Sequence, residues 1–146
     1  MSCSNIKFVL KDSDNPNLIK NNVEVFVNGK EKERYAKELF SYFGNNTDSD
    51  YILITSFVEN KENRVVKKNQ VAEKIDYKLT AEYIVFYRNQ DCKIFNKQIV
   101  TKFSFVPKSF GYNFGTDRSL DKLYTRSVRK NIKSFIDLIP EGKTCL

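Results

Sequence analysis

The sequence predicts an α+β fold, a two-layer sandwich in which a mainly antiparallel four-stranded sheet packs against two helices in the order β-α-β-β-β-α. Three observations predict it. The stretch "KIDYKLTAEYIVFYRNQDCKIFNKQIVTKFSF", from Lys74 to Phe105, keeps polar/apolar alternation almost unbroken, as a hairpin with one buried face requires. Two windows, from about Lys30 to Phe43 and from Asp117 to Ile139, repeat apolar residues every three or four positions, as amphipathic helices do. "YILITSFVE" is apolar on both faces of a strand, which places it centrally in a sheet or under cover on both sides.

In chain order, Val23, Val25 and Val27 alternate with Glu24 and Phe26 to give the first strand, and Asn28-Gly29 follows as a turn. Tyr35, Ala36, Leu39, Phe40 and Phe43 form the apolar stripe of the first helix, with Asn28 as its expected N-cap and Gly44 as its left-handed terminator. "NNTDSD" is a polar connector. In the second strand Tyr51, Leu53, Thr55 and Phe57 share one face, while Ile52, Ile54, Ser56 and Val58 share the other. "NKENRVVKKNQ" reads as a charged loop, with Val65 and Val66 as the place where strand could continue.

The hairpin follows. Ile75, Tyr77, Leu79, Ala81, Tyr83 and Val85 lie on one face and Asp76, Lys78, Thr80 and Glu82 on the other. "RNQD" reverses the chain through Asn89 and Asp91. The return strand puts Phe95, Ile99, Phe103 and Phe105 on one face, with Lys97 and Thr101 between them, and Pro107 ends it. "KSFGYNFGTD" is expected to be an aromatic loop. The last helix carries Leu120, Leu123, Tyr124, Val128, Ile132, Phe135 and Ile139 as its apolar stripe, Asp117 and Asp121 near its positive end, and Pro140 and Gly142 as its stop.

At 146 residues the chain reads as a single domain, 1–146, with residues 1–20 as an extended N-terminal segment. There is no histidine, which removes the commonest general base and the usual nucleophile triads. No glycine-rich phosphate loop occurs, and Cys3, Cys92 and Cys145 lack metal-ligand spacing. The expectation is a protein that is not an enzyme and carries no cofactor and no metal. Cys92, at the hairpin turn, reads as a spectator thiol, and a Cys92–Cys145 bridge stays open. No apolar run is long enough to span a bilayer, and the start lacks the charged and apolar regions of a signal peptide.

What remains is surface. An excess of 25 basic over 18 acidic residues, net +7, favours anionic partners. Arg118, Lys122, Arg126, Arg129 and Lys133 form a basic stripe opposite the apolar stripe of the last helix, first of all a solvated face. Lys61, Arg64, Lys67, Lys68, Lys74 and Lys78 gather around the loop before the hairpin and its first strand. Of these, Lys67, Lys68, Lys74 and Lys78 are the candidates for contact with an anion, whether a lipid headgroup or a nucleic acid. Phe110, Tyr112, Asn113 and Phe114 are candidates for contact with a protein partner, unless they lid the core. A basic cytosolic nucleic-acid-binding module is the alternative that charge alone permits. The strand aromatics count against it, because Tyr77, Tyr83, Phe95 and Phe103 all fall on the core face.

From Val23 to Ile139 the chain resembles the lipopolysaccharide-assembly lipoprotein family LptE, in its divergent α-proteobacterial form. "YILITSF" looks like the family's tyrosine-led second strand and "AEKIDYKLTAEYIVF" like its third. "FGYNFGTD", with Tyr112 and Asn113 at the matching places, is similar to the stretch before the final helix, and that helix matches in length and pattern. Cys3 stands where the family's acylated cysteine would, although Ser4 and Asn5 replace the glycine-phenylalanine that usually follows it. The resemblance implies a non-enzymatic outer-membrane lipoprotein at the periplasmic face, anchored through Cys3. It would plug an LptD-like β-barrel, assist its assembly and help insert lipopolysaccharide, with no nucleic acid as partner.

Overall fold

A computed structural model describes residues 18–65, 73–89, 91–106, 113–142 and 144–146. The elements are β1 (Val23–Gly29), α1 (Lys32–Phe43), β2 (Tyr51–Val65), β3 (Glu73–Tyr87), β4 (Cys92–Phe105) and α2 (Asn113–Leu138). They form one four-stranded sheet in the order β1-β2-β3-β4. β1 runs parallel to β2, across α1, and the other two pairings are antiparallel. Both helices pack on the same side, and the predicted α+β sandwich is the observed one.

Alternation decides which side is buried. Tyr51, Leu53, Thr55 and Phe57 in β2 face the helices, as do Tyr77, Leu79, Ala81, Tyr83 and Val85 in β3. From above, Leu39 and Phe43 of α1 and Val128, Ile132 and Phe135 of α2 close the core. Phe135 is its hub. Its ring stacks on Tyr83 with centroids 4.1 Å apart and meets Phe95 at 5.2 Å and Phe43 at 5.9 Å, joining α2 to β3, β4 and α1.

One polar group is buried among these rings. Asn131 has no exposed surface, yet its side chain is satisfied on both ends. The amide Nδ2 donates to the Ile99 carbonyl at 3.1 Å and to Thr101 Oγ1 at 3.0 Å, while Oδ1 accepts from the Tyr83 hydroxyl at 2.6 Å. The amide thereby fixes the register of α2 against β3 and β4, since sliding the helix would leave several buried groups unpaired.

A β-bulge lies in β4. Val85 faces Phe95 but Phe86 faces Lys93, so Ile94 is extra and is buried together with Phe95. On the return strand the predicted face is otherwise kept, with Thr101 buried and Lys97 exposed at the sheet edge. Asp91, at the reversal, takes a left-handed conformation, φ 48°.

Several local expectations need correction. Asn28 does not cap α1, because β1 runs on through Gly29 and Glu31 stands at the cap with φ 60° and no side-chain cap bond. Gly29 is required there, since a Cβ would come within 2.2 Å of the Phe57 carbonyl oxygen. Gly44 ends the helix with φ 76°, as expected. β2 does not stop at the charged segment but pairs with β3 as far as Val65↔Glu73, where backbone pairing outweighs the lack of apolar side chains. α2 begins at Asn113, so Asp117 and Asp121 lie beyond its first turn, and Asp121 serves an ion pair instead. β2 is central, as its apolar faces predict, but its second face is not under a helix: Val58 is 56% exposed.

Candidate functional site

The outer face of the sheet carries the site. Strand register sets its residues in rows: Phe26–Ile54–Ile84–Asn96, then Asn28–Ser56–Glu82–Gln98, then Val58–Thr80–Val100, then Asn60–Lys78–Lys102, then Glu62–Asp76–Ser104. The first and third rows leave large apolar side chains in water, Phe26 at 45% and Val100 at 46% exposed. On a face without a covering layer such side chains are a candidate contact surface. The polar Ser56–Glu82–Gln98 row separates the two apolar rows, and the lysine row lies beyond them toward the far end of the hairpin.

At the basic end, Lys78 and Lys102 are direct cross-strand partners, both exposed. Like charges placed opposite each other on neighbouring strands are destabilising, and neither lysine has an ion pair among the described residues. With Lys74, Asn60, Asp76 and Ser104 they line a cavity of about 790 Å³. Asp76, in the next row, accepts a hydrogen bond from Ser104 Oγ at 2.6 Å and keeps its charge. A lysine ammonium is a compact charge suited to phosphate, and the cavity wall carries Lys61, Lys74, Lys78 and Lys102 against Glu59, Glu62 and Asp76.

Of the residues proposed from sequence, Lys74 and Lys78 line this cavity. Lys67 and Lys68 lie outside the described residues, as do Cys3, Phe110 and Tyr112. Asn113 and Phe114 are not in a loop, as expected, but open α2, and their side chains are outside the description. Lys102 was missed. Alternation with Phe103 and Phe105 already put it on the outer face, but its place opposite Lys78 depends on the bulge at Ile94, which moves the register by one residue.

The basic stripe on α2 is the solvated face expected. Arg118, Lys122, Arg126, Arg129 and Lys133 are all exposed, and Arg129 pairs with Glu38 of α1 at 3.1 Å. Arg34 of α1 reaches across to Asp121 Oδ1 and Thr125 Oγ1, each at 2.6 Å, so the charges between the helices tie one to the other.

Cys92 is not a spectator thiol. It forms a disulfide with Cys145, Cα atoms 5.2 Å apart, across a separation of 53 residues. The bridge fastens the tail after α2 to the start of β4, where the Leu146 N–H also donates to the Lys93 carbonyl at 2.7 Å. Disulfides of this structural kind persist in oxidising compartments. Among the described residues no cluster of acidic or cysteine side chains could hold a metal, and no helix is long and apolar enough to cross a membrane.

The fold class so defined, a β-α-β-β-β-α sandwich, is shared by solved bacterial structures. A candidate lipoprotein of Caulobacter crescentus CB15 is similar with a TM-score of 0.60 at 6% identity, over 80% of this chain and 85% of that one. A minor lipoprotein of Acinetobacter baumannii aligns with a TM-score of 0.57 at 12% identity, over 86% and 99%. A hypothetical protein of Chlamydia trachomatis aligns with a TM-score of 0.53 at 9% identity, over 84% and 99%. At such identities the likeness is one of fold. No family model matches the sequence, and no curated protein matches it either.

Proposed function

We propose that this chain is a non-enzymatic envelope lipoprotein that helps deliver lipopolysaccharide to the outer membrane, seated in an LptD-like β-barrel and anchored through an acyl group on Cys3. The observation that carries the proposal is the presence, on one open sheet face, of exposed apolar side chains and, beyond them, the opposed lysines Lys78 and Lys102. An amphiphile with phosphates at one end and acyl chains at the other meets both at once. Lys74 adds a third positive group, and Phe26, Ile54 and Ile84 supply the apolar contact. The lipoprotein neighbours support the envelope assignment, and the Cys92–Cys145 disulfide supports an oxidising compartment. That same bridge counts against the cytosolic nucleic-acid-binding alternative, whose basic stripe is partly spent on Glu38. The absence of histidine agrees with a role without chemistry.

Affinity purification from outer membranes tests the partner. Recovery of a large β-barrel with the wild-type protein, and its loss when Phe26 and Ile54 are both changed to Asp, is expected. Purification without any barrel would overturn the assignment.

A further inference from the structure

A second cavity lies on the helix-facing side of the sheet and shares Glu59, Lys61 and Tyr77 with the first. β1 pairs with β2 only as far as Phe57, so Glu59 stands just past its end, on the strand face of Thr55 and Phe57. The Glu59 side chain is only 5% exposed. Its Oε2 accepts a hydrogen bond from the Tyr124 hydroxyl at 2.6 Å. Its Oε1 has Lys61 Nζ at 3.7 Å, an ion-pair distance beyond hydrogen-bond reach, and no hydrogen-bond donor among the described residues. Glu59 thus gives one oxygen to Tyr124 and keeps the other, toward Lys61, without a hydrogen bond.

The surroundings repeat the pattern. The Tyr35 hydroxyl is buried and has no hydrogen-bond partner. Burial first, and then nearby carboxylates, with Glu59 acting on all three and Glu31 ahead of it at Tyr35, keep Tyr35, Tyr77 and Tyr124 protonated beyond the usual phenol range. The cavity wall carries Glu31, Glu59 and Asp121 against Lys30, Arg34 and Lys61, and Arg34 is already paired with Glu31 and Asp121. The cavity volume is about 270 Å³. Two of its walls are the rings of Tyr77 and Tyr124, 6.4 Å apart and inclined at 78°. Two aromatic rings near a right angle over a carboxylate are what recognises an organic cation.

Two cations of the chain already use these rings, and they differ. Arg34 lies over Tyr124 at 5.1 Å and is locked by Glu31, Asp121 and Thr125. Lys61 lies over Tyr77 at 5.5 Å with a side chain 54% exposed and no hydrogen bond to Glu59. It is a loose occupant. We propose that the cavity between Glu59, Tyr77 and Tyr124 binds the primary ammonium group of a small ligand, which takes the place of Lys61.

The chemistry selects that class. An anion would face the Glu59 carboxylate, while Arg34 on the same wall is already paired with Glu31 and Asp121. A guanidinium needs two free carboxylate oxygens for its fork, whereas Glu59 offers one. A quaternary ammonium has no N–H to give to Oε1. A metal ion lacks ligands, since no suitable cluster exists among the described residues. The ammonium belongs either to a free amine or to an aminoethyl lipid headgroup.

Ethanolamine titrated into the intact, disulfide-bonded protein, followed by NMR of the tyrosine rings, tests the site. Wild type should bind weakly and saturably. Lys61→Ala, which removes the competitor, should bind roughly ten-fold tighter. Glu59→Gln, which keeps an acceptor for Tyr124, should abolish binding while the melting curve shows the protein folded. Phosphatidylethanolamine vesicles retained by Lys61→Ala, against phosphatidylglycerol vesicles that are not, would assign the headgroup as the source. Retention of neither would assign the free amine, and either result upholds the site. Failure of folded Lys61→Ala to bind ethanolamine at millimolar concentration, or binding that survives Glu59→Gln, overturns it.

Discussion

The two faces of the sheet come from the same strands and alternate residue by residue, yet they treat polar groups in opposite ways. On the inner face, Asn131 is buried with its amide bonded at both ends, and the aromatic rings around it are in contact. On the outer face, Lys78 meets Lys102 with neither in an ion pair among the described residues, and Phe26 and Val58 lie in water. The inner arrangement lowers the energy of the isolated fold. The outer arrangement raises it, a cost that the proposed partner would offset.

Mutations should separate the two faces, beginning with the inner one. Phe135→Ala removes the ring shared by β3, β4 and α1, and should cost about 3–5 kcal/mol in a denaturant titration. Removing the disulfide by Cys92→Ser with Cys145→Ser opens a closed loop of 53 residues and should cost about 3–4 kcal/mol by the chain-entropy argument. Asn131→Ala strands the Tyr83 hydroxyl and Thr101 and should cost about 2–3 kcal/mol, more than truncation of an exposed residue. The contrast disappears if any of these three proves neutral.

Alkaline pH should weaken the inner face alone. Burial, reinforced for Tyr124 by its bond to Glu59, raises the Tyr83 and Tyr124 phenols above the ordinary value of 10.0. The unfolded chain then loses these protons first. Their contribution is full below that value and declines as pH rises beyond it. Melting temperature followed upward from pH 9 should therefore fall, and Tyr83→Phe should flatten the decline.

The smallest effect on stability is expected on the outer face, and with the opposite sign. Lys102→Glu places a carboxylate across from Lys78 and should stabilise the fold by up to about 1 kcal/mol. The same change should weaken binding to anionic vesicles. A residue whose replacement improves the fold while damaging binding is the signature of a surface kept for a partner.

How much of this was legible follows from the physics of each feature. Alternation over Lys74–Phe105 gave the hairpin and its buried face because one period governs the whole stretch. The place of Asn131 on the helix stripe was also legible, between Val128 and Phe135, but its polarity hid it, since its partners Tyr83, Ile99 and Thr101 are distant in sequence. Lys74 and Lys78 were found from local charge density, whereas the place of Lys102 opposite Lys78 depends on a single bulge that no local pattern announces. The cavity at Glu59 was invisible for a related reason: Glu59, Arg34 and Tyr124 meet only after three elements have packed. The early start of α2 was missed because Gly111 and Gly115 read as loop signals.

Binding to vesicles containing lipopolysaccharide, compared between wild type and the double variant Lys78→Gln with Lys102→Gln, tests the central claim most directly. The variant should lose most of the binding while its melting temperature stays the same or rises. Undiminished binding by a folded variant would contradict the account, and the open face would then need another explanation.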